Sequence, residues 1–382
     1  MKVGELISNK NLKYYPVSEL KDCRIHGRNK VTGDILPLFW NHSGIEIECT
    51  GSELWVELEA DFSVFEPWAA LEINGAFMMR QMLMPGRYPL CLFRGMSYGD
   101  EKRAFFYREL QAMGEDNDCH VLIRGIYTDG EIRKLPSKSC RIEFIGDSIS
   151  SGEGTYGAHY DMDWIPMYMS SSRHYANIIE KELNAEVRII SQGGWGVYCG
   201  WDGDTSHNIP SVYDKVCGLA YGDFNEGLGA SEIYEPEEWM PDAVIINLGT
   251  NDMNAFDMPP FYDVRTGTYN VMKKGPDGKP DKEHAAIIRN AAKGFMAQIR
   301  RLYPSSHILW VYGMMGQRLS GCLEAAVKEY KDESGDDNTA FLLLPDTEGD
   351  GFGSREHPGF LSHEKAAAVM IGYLRNNGIV KV

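Results

Sequence analysis

No two of the eight cysteines form a CxxC pair. They stand at positions 23, 49, 91, 119, 140, 199, 217 and 322, too scattered for a zinc ribbon. In a chain of 382 residues they read as reduced thiols, most of them buried. Also missing is any apolar run approaching the roughly 20 residues that a membrane-spanning helix requires. The opening MKVGELISNKNLKYY lacks the apolar core of a secretion signal. Basic runs are scarce as well: 38 Lys and Arg face 55 Asp and Glu, for a net charge of −17. A chain of that balance has no basic face for phosphates, so nucleic acid is excluded as a partner. It is also repelled by anionic membrane surfaces. A neutral small substrate fits best, although the charge serves solubility equally well. These absences predict a cytoplasmic chain, provided no signal peptide has been removed, and leave homo-oligomerisation open.

What is present is ordinary globular material, 43% hydrophobic and 24% charged, enough for two cores. Up to about residue 138 short apolar runs alternate with turn residues. ILPLFW (35–40), GIEIEC (44–49), LWVELEA (54–60), AALEIN (69–74), YPLCLF (88–93), AFFYREL (104–110) and HVLIRGIY (120–127) are the runs. Ile45, Ile47 and Cys49 share one face, and Glu46 and Glu48 the other. This period of two predicts an all-β, jelly-roll-like antiparallel sandwich over residues 1–138.

From 139 to 382 the rhythm changes to strands alternating with helices. Strands are expected at 141–148, 187–191, 243–249, 307–313 and 339–345, and helices at 170–184, 285–303, 321–332 and 363–378. That order predicts a three-layer α/β domain on a mostly parallel sheet. The stretches 202–240 and 252–283 read as long loops, where site walls are commonly built.

Four strand ends carry residues suited to acyl transfer. Ser148, in Ile-Gly-Asp-Ser-Ile-Ser, follows the first α/β strand. A serine there sits where open sheets bind ligands and where a helix N-terminus favours negative charge. On local sequence alone it reads equally as a helix cap. The glycines of IISQGGWGVYCGW (189–201) follow the next strand. Without a side chain, such a residue lets its amide approach an oxyanion. NLGTNDMN (247–254) follows a strongly apolar strand, and EHPGFLSHEKAA (356–367) supplies His357 ahead of the last helix. A neutral imidazole is the natural base for a serine.

Gly-Asp-Ser, the Gly-rich turn, Gly-x-Asn-Asp and His-Pro, in this order, resemble the four blocks of the SGNH hydrolases, also called GDSL esterases. The resemblance implies Ser148 as nucleophile and His357 as base. It implies the amides of Ser148 and Gly194 (with Gly193 the near alternative) and the side chain of Asn251 as the oxyanion hole. His363 matches a second histidine that members often carry. No metal or other cofactor is implied. One position departs: the family's Asp three residues before the histidine is Ser354 here. Asp350, Glu356 or a backbone carbonyl is left to orient the imidazole.

A β-sandwich ahead of such a domain, with Gly27-Arg28 and Phe39-Trp40 in HGRNKVTGDILPLFW, resembles carbohydrate esterase family two, the acetylxylan-esterase-like enzymes. That family relies on a Ser–His dyad with a backbone carbonyl beside the histidine. The resemblance implies a serine esterase removing acetyl groups from small xylan- or mannan-derived carbohydrates, with Trp195 and Trp201 as candidate sugar platforms. An esterase or thioesterase on other acyl groups, and an inactive carbohydrate-binding relative, are the rival readings.

Overall fold

The alternating segments of the first part become antiparallel strands. In the computed structural model, which describes residue 8, residues 11–236 and residues 239–380, two units separate. One runs to Ser137 and takes in Lys215–Tyr234. The other comprises Lys138–Asp214 and the chain from Glu235 onward.

In the first unit one sheet orders the strands Lys13–Pro16, His120–Thr128, Glu53–Asp61 and Gly86–Arg94, with Leu36–Pro37 beside His120–Thr128. The other orders Ile132–Arg133, Gly44–Cys49, Lys102–Arg108, Trp68–Ile73 and Ala76–Met82, with Arg24–His26 on Gly44–Cys49. Ile45, Ile47 and Cys49 are fully buried. They join Leu54, Val56, Leu58, Phe106 and Ile123 in one apolar core drawn from both sheets. On the opposite face Glu46 and Glu48 pair with Arg24 and Arg103.

Two sequence expectations change here. The run 35–40 is a strand only at Leu36–Pro37, since proline cannot donate to a ladder. Its Trp40 is buried instead, and donates Nε1–H to the Val216 carbonyl at 2.8 Å. Val216 lies in the stretch 215–234, which was expected in the second domain but packs with the first unit. Ala76–Met82 was not marked, because an edge strand exposed or half-exposed along its length carries no clean alternation. It pairs with Trp68–Ile73 through Asn74-Gly75, whose φ values of 51° and 81° suit a tight hairpin turn.

The second unit is built on five parallel strands: β1 (Cys140–Gly146), β2 (Ala185–Ser191), β3 (Ala243–Asn247), β4 (His307–Met314) and β5 (Thr339–Asp346). Their order is β2-β1-β3-β4-β5. The helices of six or more residues are α1 (Tyr175–Leu183), α2 (Thr250–Ala255), α3 (Lys282–Leu302), α4 (Ser320–Ser334) and α5 (Phe360–Asn376). Strands covered on both faces read as continuous apolar runs, and β3 is buried throughout. Ile142, Phe144, Ile245 and Leu309 pack with Ile179 of α1 and Ala366 and Met370 of α5. Glu143 of β1 is buried, its carboxylate accepting from Tyr213 at 2.6 Å and Tyr303 at 3.1 Å.

α1 starts at Tyr175 rather than at 170. Ser170 and Ser172 bond to each other, and His174 caps the helix by accepting from the Asn177 amide. α5 starts at Phe360, ahead of the expected 363. Among the described residues no helix is long and apolar enough to cross a membrane.

Because β1, β2 and β3 run parallel, their carboxyl ends share one edge of the sheet. Ser148, Gly194 and Asn251 all follow those ends, the edge where open α/β sheets bind ligands. Truncating the fully buried Ile245 to Ala empties the centre of this unit. It should lower stability by about 2–5 kcal/mol, read from the denaturant midpoint; a change under about 0.5 kcal/mol would contradict this packing.

Candidate active site

Ser148 leaves β1 on a single turn, closed by the Ser151 amide on the Asp147 carbonyl (2.9 Å) and the Glu153 amide on the Ser148 carbonyl (3.0 Å). The turn does not continue into a helix, so Ser148 is not a helix cap. His357 Nε2 lies 2.9 Å from Ser148 Oγ, although 209 positions separate the two residues. Both side chains are nearly buried, the residues 5% and 9% exposed.

The other imidazole nitrogen, Nδ1, faces the carbonyl of Arg355 at 2.9 Å. That contact fixes the tautomer: Nδ1–H donates to the carbonyl, leaving Nε2 to accept the serine proton. Neither expected carboxylate takes this place. Asp350 and Glu356 are both exposed, and Ser354 instead donates its hydroxyl to the Tyr156 carbonyl (3.0 Å). The backbone is bent to deliver the carbonyl. Arg355 has φ 56° and ψ 31° and Glu356 has φ 56°, left-handed geometry that costs non-glycine residues about 1–3 kcal/mol each. Gly154, at φ +83°, lets this loop approach, since a Cβ there would stand 2.5 Å from His357 Cβ.

Asn251 opens α2, and its Nδ2 donates to the Trp195 carbonyl at 2.9 Å and to Asp147 at 3.3 Å. The three strand ends are thereby tied together. Asp252, which the sequence reading passed over, reinforces the tie. Its carboxylate accepts from the amides of Val197 (2.9 Å), Tyr198 (2.7 Å) and Cys199 (3.1 Å). Burial still raises its pKa despite those three donors. Gly194 has φ +79° and accepts from the Trp201 amide at 3.0 Å. The amides of Ser148 and Gly194 donate to no protein acceptor among the described residues. Of the two tryptophans, Trp195 is half-buried and stacked on His207 (centroids 5.1 Å apart, 21° between planes). Trp201 is 48% exposed. His363 is buried within α5, its Nδ1 accepting from the Tyr175 amide at 3.2 Å. Burial pushes its pKa down to about 3, so it stays neutral.

Two further groups were not legible. Glu153 and Arg355 form an ion pair at 2.7 Å beside His357. Nothing in the spacing SGEG or SREH signals that the folded chain joins them.

The whole chain resembles proteins of known structure. An acetyl xylan esterase from the rumen bacterium Butyrivibrio proteoclasticus is 48% identical, with a TM-score of 0.94 over 96% of this chain and 99% of that one. A family two carbohydrate esterase from Clostridium thermocellum, solved with cellohexaose, is 23% identical with a TM-score of 0.75. It covers 93% of this chain and 98% of that one, and this is a likeness of fold alone. The chain belongs to carbohydrate esterase family 2. Among curated proteins the cellulase/esterase CelE of Acetivibrio thermocellus is 25% identical over 344 residues, 88% of this chain and 37% of that protein. This family 2 chain thus spans well under half the length of the curated relatives it matches. No protein-family model matches it.

Asp147 gives this family 2 site a pH signature. Its carboxylate is wholly buried, and burial is the main reason its pKa is pushed up to about 7 from 3.8. Between those values the folded chain binds more protons than the unfolded one, so this group's contribution to stability falls as pH rises. Denaturant titrations from pH 4 to pH 8 should show Asp147→Asn gaining on the parent protein as pH rises. A constant gap across the range would contradict the buried, proton-binding Asp147.

Proposed function

We propose that the second unit is an SGNH-type serine hydrolase, and that the chain removes acetyl groups from carbohydrate esters through an acyl-enzyme. The observation that carries this reading is the 2.9 Å contact of Ser148 Oγ with His357 Nε2, a nucleophile and base at working distance.

In this reading His357 takes the Ser148 proton as Oγ attacks the acetyl carbonyl. The carbonyl oxygen becomes an oxyanion, held by the Ser148 and Gly194 amides and by Asn251 Nδ2. Those two amides have no protein partner among the described residues to give up, so they meet the charge without reorganisation. Asn251 exchanges its longer bond, the 3.3 Å one to Asp147, for the oxyanion. Collapse expels the sugar hydroxyl oxygen, which takes the proton from the imidazolium. Water, deprotonated by His357, then attacks the acetyl-serine; acetate leaves and the serine regains its proton.

The relatives support a carbohydrate ester as the substrate. One is an acetyl xylan esterase, and another was solved with cellohexaose bound. Acetylated xylan- or mannan-derived oligosaccharides suit a site whose exposed indole, Trp201, adjoins Gly194. A Cβ on that glycine would stand 3.2 Å from Trp201 Cδ1. Sugar faces stack on indole rings.

Ser148→Ala should abolish both 4-nitrophenol release from its acetate and acetate release from acetylated xylo-oligosaccharides. Turnover that survives this change would overturn the nucleophile assignment. Asn251→Ala should lower kcat on the order of 10²–10³-fold, as loss of one oxyanion donor does, and an unchanged kcat would remove Asn251 from the hole. Acetyl esters should be favoured over longer acyl chains. A preference for long chains would shift the reading to a general esterase.

A further inference from the structure

In a serine triad one carboxylate both orients the histidine and offsets its positive charge. Here the orienting group is the neutral carbonyl of Arg355, which leaves the charge without an evident counterpart. Glu153 supplies a carboxylate at the ring. The residue is 4% exposed, and its Oε1 lies 3.8 Å from His357 Nε2. At that distance it feels the charge on the ring but leaves the Nε2 hydrogen bond to Ser148.

The same oxygen accepts from Arg355 Nε at 2.7 Å. Arg355 is pinned at two more points, its amide donating to the Asp161 carbonyl (2.7 Å) and Nη1 to the Met162 carbonyl (3.2 Å). A residue in left-handed geometry persists only when its surroundings hold it there. Glu153 is one of those holds, and the carbonyl presented to His357 belongs to the residue it anchors.

We propose that Glu153 is the displaced third member of the triad, a positioning residue split from the orienting carbonyl. It anchors Arg355 so that the carbonyl holds Nδ1–H, and its negative charge offsets the imidazolium formed when His357 takes the Ser148 proton. The proposal rests on His357 being the base. Among the described residues the carboxylate beside the ring is that of Glu153, itself paired with the Arg355 guanidinium. Asp147 and His363 are buried nearby, and Asp147 also responds to the charge of Glu153. The ring is therefore followed directly rather than through rates alone.

The test compares Glu153→Gln with Arg355→Asn, asparagine being a side chain that tolerates left-handed backbone. The His357 ring is titrated by NMR in the full chain, its signals assigned by their loss in His357→Ala. Glu153→Gln should lower kcat/KM for 4-nitrophenyl acetate by about tenfold, part of the 10²–10⁴ that general base catalysis supplies. KM should change little, and the ring's titration midpoint should move to lower pH. Arg355→Asn leaves the carboxylate unopposed and should move the midpoint to higher pH. Midpoints that stay put, or move the same way in both variants, would reduce Glu153 to a structural residue and overturn the proposal. If Glu153→Gln fails to fold, Arg355→Asn decides alone: a rise supports the proposal, and no change or a fall overturns it. Wild-type turnover in His357→Ala would instead defeat the base assignment, whatever Glu153 does.

Discussion

The Ser148–His357 hydrogen bond organises the second unit. A hydroxyl on a turn after β1 and an imidazole before α5 meet only if the sheet brings both chain segments to one edge. Parallel β1, β2 and β3 do this, since each delivers its following loop to the same side. The bond also needs a defined tautomer, and a backbone carbonyl provides it in place of a side chain. The left-handed Arg355 and Glu356 are the strain that this arrangement stores.

The site is held by polar contacts that are mostly buried. Asn251 ties α2 to the residue before Ser148 and to the carbonyl before Gly196, that of Trp195. Asp252 clamps three consecutive amides of the loop after β2. A buried carboxylate accepting three N–H groups restrains that loop well. The Gly-x-Asn-Asp block thus does two jobs with adjacent residues. Asn251 is the proposed oxyanion donor, and Asp252 fixes the neighbouring loop.

Much of this was legible in the sequence. The alternation of Ile45, Ile47 and Cys49 marked a strand that is buried on that face. The apolar runs of β1 to β4 marked strands of a sheet covered on both sides. Ser148 and His357 were named from motifs, and the fold brings them into contact. What failed to show depends on long-range packing. The 215–234 stretch reads as a loop of the second half, and long-range bonds such as those of the Trp40 indole and of Asn225 reveal where it belongs. The serines at 170–172 look like caps, but His174 takes that role once the helix start is fixed. Asp350 and Glu356 were the carboxylates close in sequence to His357. The backbone turns both outward, and Glu153, about 200 positions upstream, faces the ring. Sequence proximity selects candidates for a triad, and only the folded backbone chooses among them.

The central claim is that Ser148 carries the acetyl group during turnover. Rapid acid quench of the enzyme with an acetyl ester, followed by peptide mass spectrometry, tests it directly. The account predicts an acetyl adduct on the peptide containing Ser148, absent from Ser148→Ala. An adduct on another residue, or one that persists in Ser148→Ala, would contradict it.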